Sequence, residues 1–149
     1  MQQRGCIAVG WADLGDISWV ESKKESRDQL KLLIHEKYPN TASAEGRAAT
    51  EVTNFISKMD EGDIVWAADG AKILGIARVT GGYRFEQEFD FPHQRSVEWL
   101  SIGECKMPFD EGLQSTVREV KKHNENILET ERRVQNKQRI IDPPNPKLP

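Results

Sequence analysis

The apolar pattern changes period at Glu61-Gly62-Asp63, and that change constrains the fold more than any other feature. Before it, Ala48, Ala49, Val52, Phe55, Ile56 and Met59 recur at i, i+3 and i+4, the spacing of one buried helical stripe. After it, Ile64-Val65-Trp66-Ala67-Ala68 and Ile73-Leu74-Gly75-Ile76-Ala77-Arg78-Val79 are apolar runs of strand length. Asp69-Gly70 between them is a hairpin signal. Helices and strands therefore fall in separate blocks, the pattern of an α+β chain.

The flanking sequence extends this reading. Residues 5–11 read as a short buried strand. A helix is predicted over residues 22–37, with Ser22/Glu25 and Ser26/Gln29 as capping boxes. Leu30, Leu33, Ile34 and Lys37 share one face, and Tyr38-Pro39 stops the helix. A second helix is predicted over 43–59. Gly81-Gly82 is expected to break the returning strand, residues 83–91 alternate aromatic with acidic side chains, and 97–100 form another strand ending near Lys106-Met107-Pro108. The order of strand, two helices and antiparallel meander predicts a domain over 1–108 whose sheet is curled or closed, flanked by helices.

From Asp110 the composition shifts. Leu113, Val120, Ile127, Val134 and Ile141 recur every seven residues, but the second stripe is poor: Thr116, His123, Thr130 and Lys137. A long helix over 109–141 that docks or links is expected, rather than a zipper. Pro143-Pro144-Asn145-Pro146 forbids helix, so 142–149 reads as a linker, as if another domain followed.

Acidic groups outnumber basic ones, 24 to 21, for a net charge of −3. This argues against a broad phosphate-binding face but not against a pocket that captures one base. No apolar run approaches the roughly 20 residues of a membrane span, and the N-terminus lacks a basic-then-apolar leader. Cys6 and Cys105 read as reduced thiols, so a cytoplasmic protein with no membrane partner is expected. No Cys/His cluster has metal-ligand spacing, and no metal or cofactor is expected.

The chain has no Gly-x-Ser-x-Gly, no phosphate loop and no dinucleotide fingerprint. Asp90 with Glu104-Cys105-Lys106 has the Asp…Glu-x-Lys spacing of a Mg²⁺-dependent nuclease, in which two carboxylates hold the metal and the lysine activates water. The plainer reading is solvated charge at a strand end. His93 and Arg95 have no partner carboxylate at informative spacing. They read either as a loop histidine bonded to backbone or as a groove-lining pair touching a phosphate or base edge.

The four tryptophans divide by position. Trp99 alternates with Val97 and reads as core. Trp66 shares a strand face with Ile64 and could be core or site. Trp11 ends the first strand and opens a loop, a site position. Trp19 could pack or act as a lid. Aromatic rings facing across a pocket can sandwich an extruded base.

The stretches "IAVGWADLGDIS", "ATEVTNFISKMDEGDIVWAADGAKILGIARVTGGY" and "FPHQRSVEWL" together resemble the PUA-like superfamily, covering roughly residues 5–108. Within it the chain is most similar to EVE and YTH-like domains found with McrB-type and Mrr-type modification-dependent restriction systems. The resemblance implies a curled or barrel-like sheet and a non-enzymatic module that flips a modified, foremost methylated, base of DNA into an aromatic cage. It makes Trp11 the cage tryptophan, puts Trp66 on a pocket-lining strand, and makes Trp99 structural. Tyr83 or Trp19 would complete the walls, and Asp16 and Ser18 would contact the base edge. The implied partners are nucleic acid and an effector motor or nuclease. Relatives often carry a strand before "IAVGW", where this sequence has only Met1-Gln2-Gln3-Arg4. An RNA-binding PUA-like or YTH-like module, the Asp90/Glu104/Lys106 nuclease and a protein-interaction domain using the 113–141 stripe are the alternatives.

Overall fold

The computed structural model describes residues 5–69, 72–105, 117 and 124–141. They form an α+β fold with one four-stranded antiparallel sheet and three helices. The strands are β1 (Cys6–Val9), β2 (Ile64–Asp69), β3 (Lys72–Phe85) and β4 (His93–Cys105), in the order β1-β4-β3-β2. The helices are α1 (Lys24–Lys37), α2 (Ala42–Thr53) and α3 (Asn124–Ile141).

The two helices predicted before Glu61 both exist, with shifted ends. α1 begins after Lys23, which makes no side-chain cap. The Ser22/Glu25 and Ser26/Gln29 boxes do not form: Ser26 Oγ instead accepts from the Glu21 amide at 2.8 Å, and Ser22 bonds Ser57. α2 is capped by Thr41, whose hydroxyl accepts from the Ala44 amide at 3.1 Å. Its last stretch, Asn54–Lys58, loosens into one π-helical turn that buries Phe55. Leu30, Ile34, Ala49 and Val52 then pack with Leu14, Ile17 and Val20 into one core cluster.

Gly81-Gly82 does not break β3, which runs unbroken to Phe85 with a register shift between Val79 and Tyr83. A Cβ on Gly81 would lie 3.2 Å from Ser96 Cβ, so the glycine permits close approach rather than a turn. The segment 86–92 is the turn between β3 and β4, closed by Glu86 N–H to the Pro92 carbonyl at 2.8 Å.

Register assigns the faces of the sheet. Val65 pairs with Ala77 and Trp66 with Ile76. Ala77 pairs with Trp99, Val79 with Val97, Tyr83 with Arg95 and Phe85 with His93. Side chains alternate along a strand, so Val65, Ala77, Val79, Tyr83, His93, Arg95, Val97 and Trp99 share one face. Trp66 and Ile76 lie on the other. The first face holds the second core cluster of Ala77, Val79 and Val97, with Ile7, Met59, Val65 and Trp99 packed against it. On the second face α3 packs against β4, and Trp66 Nε1–H donates to Thr130 Oγ1 at 3.0 Å.

Of the predicted 109–141 helix, α3 covers Asn124–Ile141, while 109–116 and 118–123 lie outside the described residues. Leu113, Thr116, Val120, His123, Gly70, Met1-Gln2-Gln3-Arg4 and Pro143-Pro144-Asn145-Pro146 lie outside the described residues. Cys6 is buried and free. Among the described residues no helix is long and apolar enough to cross a membrane.

Candidate functional site

The end of β1 is where the backbone departs from ordinary geometry. Trp11 has φ 56 and ψ 41, and among the described residues it is the non-glycine with positive φ. The left-handed region costs a bulky residue about 1–2 kcal/mol, so something must hold it there. Two donors do. The Leu14 amide closes the 3-10 turn Ala12–Leu14 onto the Trp11 carbonyl at 3.1 Å, and His93 Nε2 meets the same oxygen at 2.9 Å.

That contact fixes the histidine tautomer. A carbonyl only accepts, so Nε2 carries the proton. Burial holds the His93 pKa below its ordinary value, against the opposing pulls of the Trp11 carbonyl and Asp16. The neutral ring therefore accepts at Nδ1, where Tyr83 Oη lies 2.7 Å away. Tyr83 donates its proton there and accepts from the Ile17 amide at 3.3 Å. Burial, with Asp16 adding to it, pushes the Tyr83 phenol up to about 12, so it stays protonated. The result is one directional chain: Ile17 N–H to Tyr83 Oη, Tyr83 O–H to His93 Nδ1, His93 Nε2–H to Trp11 O. Tyr83 stacks on the His93 ring at 5.7 Å, and Phe85 tilts against it at 5.2 Å.

The structure thus joins Trp11, Tyr83 and Asp16 at one end of the sheet. Trp11 and Tyr83 pack against the first core cluster. Asp16 Oδ1 accepts from the Ser18 amide at 3.0 Å, shaping the loop that carries exposed Ser18 and Trp19, the latter 42% exposed. Trp66 does not join them. Its face is the opposite one, and its indole N–H is given to α3.

His93 and Arg95 are not groove-lining. His93 is a strand residue 1% exposed, and Arg95 is 3% exposed. Arg95 donates from Nε and Nη2 to the Gly81 carbonyl at 3.1 and 3.0 Å, and from Nη1 to the Phe55 carbonyl at 3.2 Å and to that of Met59. It ties β3 to the π-helical turn, with four of its five N–H donors spent on main-chain carbonyls. Burial lowers its pKa, and Asp60, Glu61 and Asp63 partly restore it.

The nuclease constellation is pulled apart. Asp90 sits in the turn before β4, and Glu104 is near the far end of that 13-residue strand. At about 3.4 Å per residue their backbones are on the order of 30 Å apart, too far to share a metal. Lys106 lies outside the described residues.

Sequence reading missed Phe91. It is 56% exposed, and its ring lies 3.9 Å from where a Cβ on Gly10 would stand, next to Trp11. Gln94, 1% exposed, donates from Nε2 to the Phe91 carbonyl at 3.1 Å and fixes that turn. The "FDFP" string marks a turn, but which ring faces solvent depends on β1, distant in sequence.

A family model described as "Domain of unknown function (DUF8426)" matches residues 1–136. The chain belongs to the DUF8426 family. No curated protein and no solved structure matches it. The DUF8426 span takes in all four strands and crosses residue 108, where the sequence pattern placed a domain boundary.

Proposed function

We propose that the chain is a PUA-like nucleic-acid recognition module of the EVE/YTH-like kind, which takes a flipped, methylated base of DNA against Trp11 and directs a restriction or defence effector to it. The observation that carries this reading is the strained Trp11 backbone. A large aromatic ring at a strand mouth is held in a costly conformation by a buried hydrogen-bonded chain. Strain of this kind is kept where the surroundings over-determine it, and such places cluster at ligand sites. Tyr83 and Asp16 belong to the same assembly, and exposed Phe91 and Trp19 offer further stacking surface. A base stacked on an aromatic ring contributes about 1–3 kcal/mol.

Methylated and unmethylated duplexes titrated against wild type and Trp11→Ala test it. Preference for the methylated duplex, weakened about fivefold or more in Trp11→Ala, is expected from the loss of one stacking contact of about 1–3 kcal/mol. Equal affinities across all four combinations overturn the reading. Competition with RNA of matched sequence decides between DNA and RNA, since the 2′-hydroxyl is the distinguishing group.

A further inference from the structure

We propose that His93 is the positioning residue of the Trp11 site, and that the site is assembled only while His93 is neutral. The effect on ligand binding rests on the function proposed above; the coupling of His93 to Trp11 rests on geometry alone.

The His93 ring links two points of the loop through its two nitrogens. Nε2–H reaches the Trp11 carbonyl, and Nδ1 takes the Tyr83 proton, whose oxygen in turn holds the Ile17 amide. Among the described residues, the groups that meet it come from three elements and the loop. β3 brings Tyr83 and Phe85, β1 brings Val9, which pairs with it, and the loop brings Asp16. Arg95, two residues along β4, spends its guanidinium on Gly81, Phe55 and Met59. Asp16 alone among these favours a charged ring.

Protonation changes one atom. Nε2–H keeps its bond to Trp11, but Nδ1 turns from acceptor to donor and faces an O–H that was donating to it. The Tyr83 hydroxyl already accepts from Ile17. It must accept a second proton and leave its own without the acceptor it had, or the ring must withdraw. Either adjustment is unfavourable inside the core. Relief comes by moving the ring outward, which displaces Trp11 and releases Ile17. One proton thereby couples to the shape of the site.

Nitrogen-15 NMR of the histidine rings and of the Trp11 and Ile17 amides, followed against pH, tests this. The expected result is an Nε2-protonated neutral ring, a midpoint below about 6.5, and Trp11 and Ile17 signals that move with that same midpoint. In His93→Gln those two signals stop titrating. In Tyr83→Phe, which keeps the ring and removes the opposing O–H, the His93 midpoint rises. A proton on Nδ1, amides that stay still while His93 titrates, or an unmoved midpoint in Tyr83→Phe overturns the proposal. Should His93→Gln not fold, the Tyr83→Phe midpoint decides. Affinity for a duplex holding one N6-methyladenine is expected to fall by up to about tenfold per pH unit below the midpoint, the limit for one linked proton. If that duplex and one holding 5-methylcytosine fail to bind at every pH, the proposed function falls, while the NMR titration still supports or overturns the coupling.

Discussion

At Trp11 the ring and the backbone pull in different directions. The ring packs on the core, but the left-handed backbone favours glycine. Trp11→Gly removes the strain along with the ring; Trp11→Ala removes only the ring. Urea unfolding should find Trp11→Gly about 1 kcal/mol more stable than Trp11→Ala, the reverse of the usual Ala-over-Gly order. A difference of the opposite sign would show that the backbone is not under strain. His93 gives a second outcome. Its folded pKa lies below the unfolded value of about 6.5, so the unfolded chain binds more protons in that window. Stability should be full above about pH 6.5 and decline as pH falls through the folded value, with His93→Gln flat over the same range. Glu45, held below its ordinary range first by the Asn40 amide and then by His35, loses its contribution only on further acidification below 4.5. The sequence singled out Trp11 as a candidate, because a tryptophan after a buried strand and before a Gly/Asp loop is unusual, and the structure adds its left-handed backbone. It could not reveal His93 as its support, because that bond spans 82 positions.

Between elements, Arg95 acts as a tie. Its donors end on main-chain carbonyls of Gly81 in β3, Phe55 in the π-helical turn and Met59 just after it. Arg95→Leu should cost about 3 kcal/mol, because charge-assisted bonds are lost and buried carbonyls are stranded. A urea midpoint near wild type would show the tie to be dispensable. Trp66 and Thr130 form a weaker tie between β2 and α3. Thr130→Val should speed amide exchange over residues 126–135 by about fivefold, equivalent to roughly 1 kcal/mol for one hydrogen bond, and leave the Trp11 loop unchanged. Exchange rising equally in both places would mean that the two sheet faces are not independent. Helix stripes and strand runs were readable because burial imposes their periods. Gly81-Gly82 misled because glycine serves both breaks and close approaches, and Ser96, which decides the matter, lies on another strand. The Ser22 and Ser26 capping boxes misled because those hydroxyls found Ser57 and the Glu21 amide instead.

For the molecule as a whole, charge bears on the proposed binding of nucleic acid. With a net charge of −3, few phosphates can be neutralised. The logarithm of affinity for DNA should fall with log salt at a slope no steeper than about −2, against about −0.9 per phosphate contact. A slope of about −5 or steeper would point to a backbone-binding face and away from capture of a single base. The coarse α+β order was legible because the helical and strand blocks are separate in sequence. The division of the sheet into a Trp11 face and a Trp66 face was not, because it depends on register, and one residue of slip exchanges the faces.

That division has a use at the bench. The four tryptophans occupy four surroundings: Trp11 half-buried at the loop, Trp19 exposed, Trp66 bonded to Thr130, and Trp99 with its indole N–H buried and without a hydrogen-bond partner among the described residues. Indole emission responds to polarity and hydrogen bonding, so the chain carries its own optical probes. Trp66 reports helix docking from one side of the sheet while Trp11 and Trp19 report loop events from the other, and single Trp→Phe replacements separate the signals without an added label.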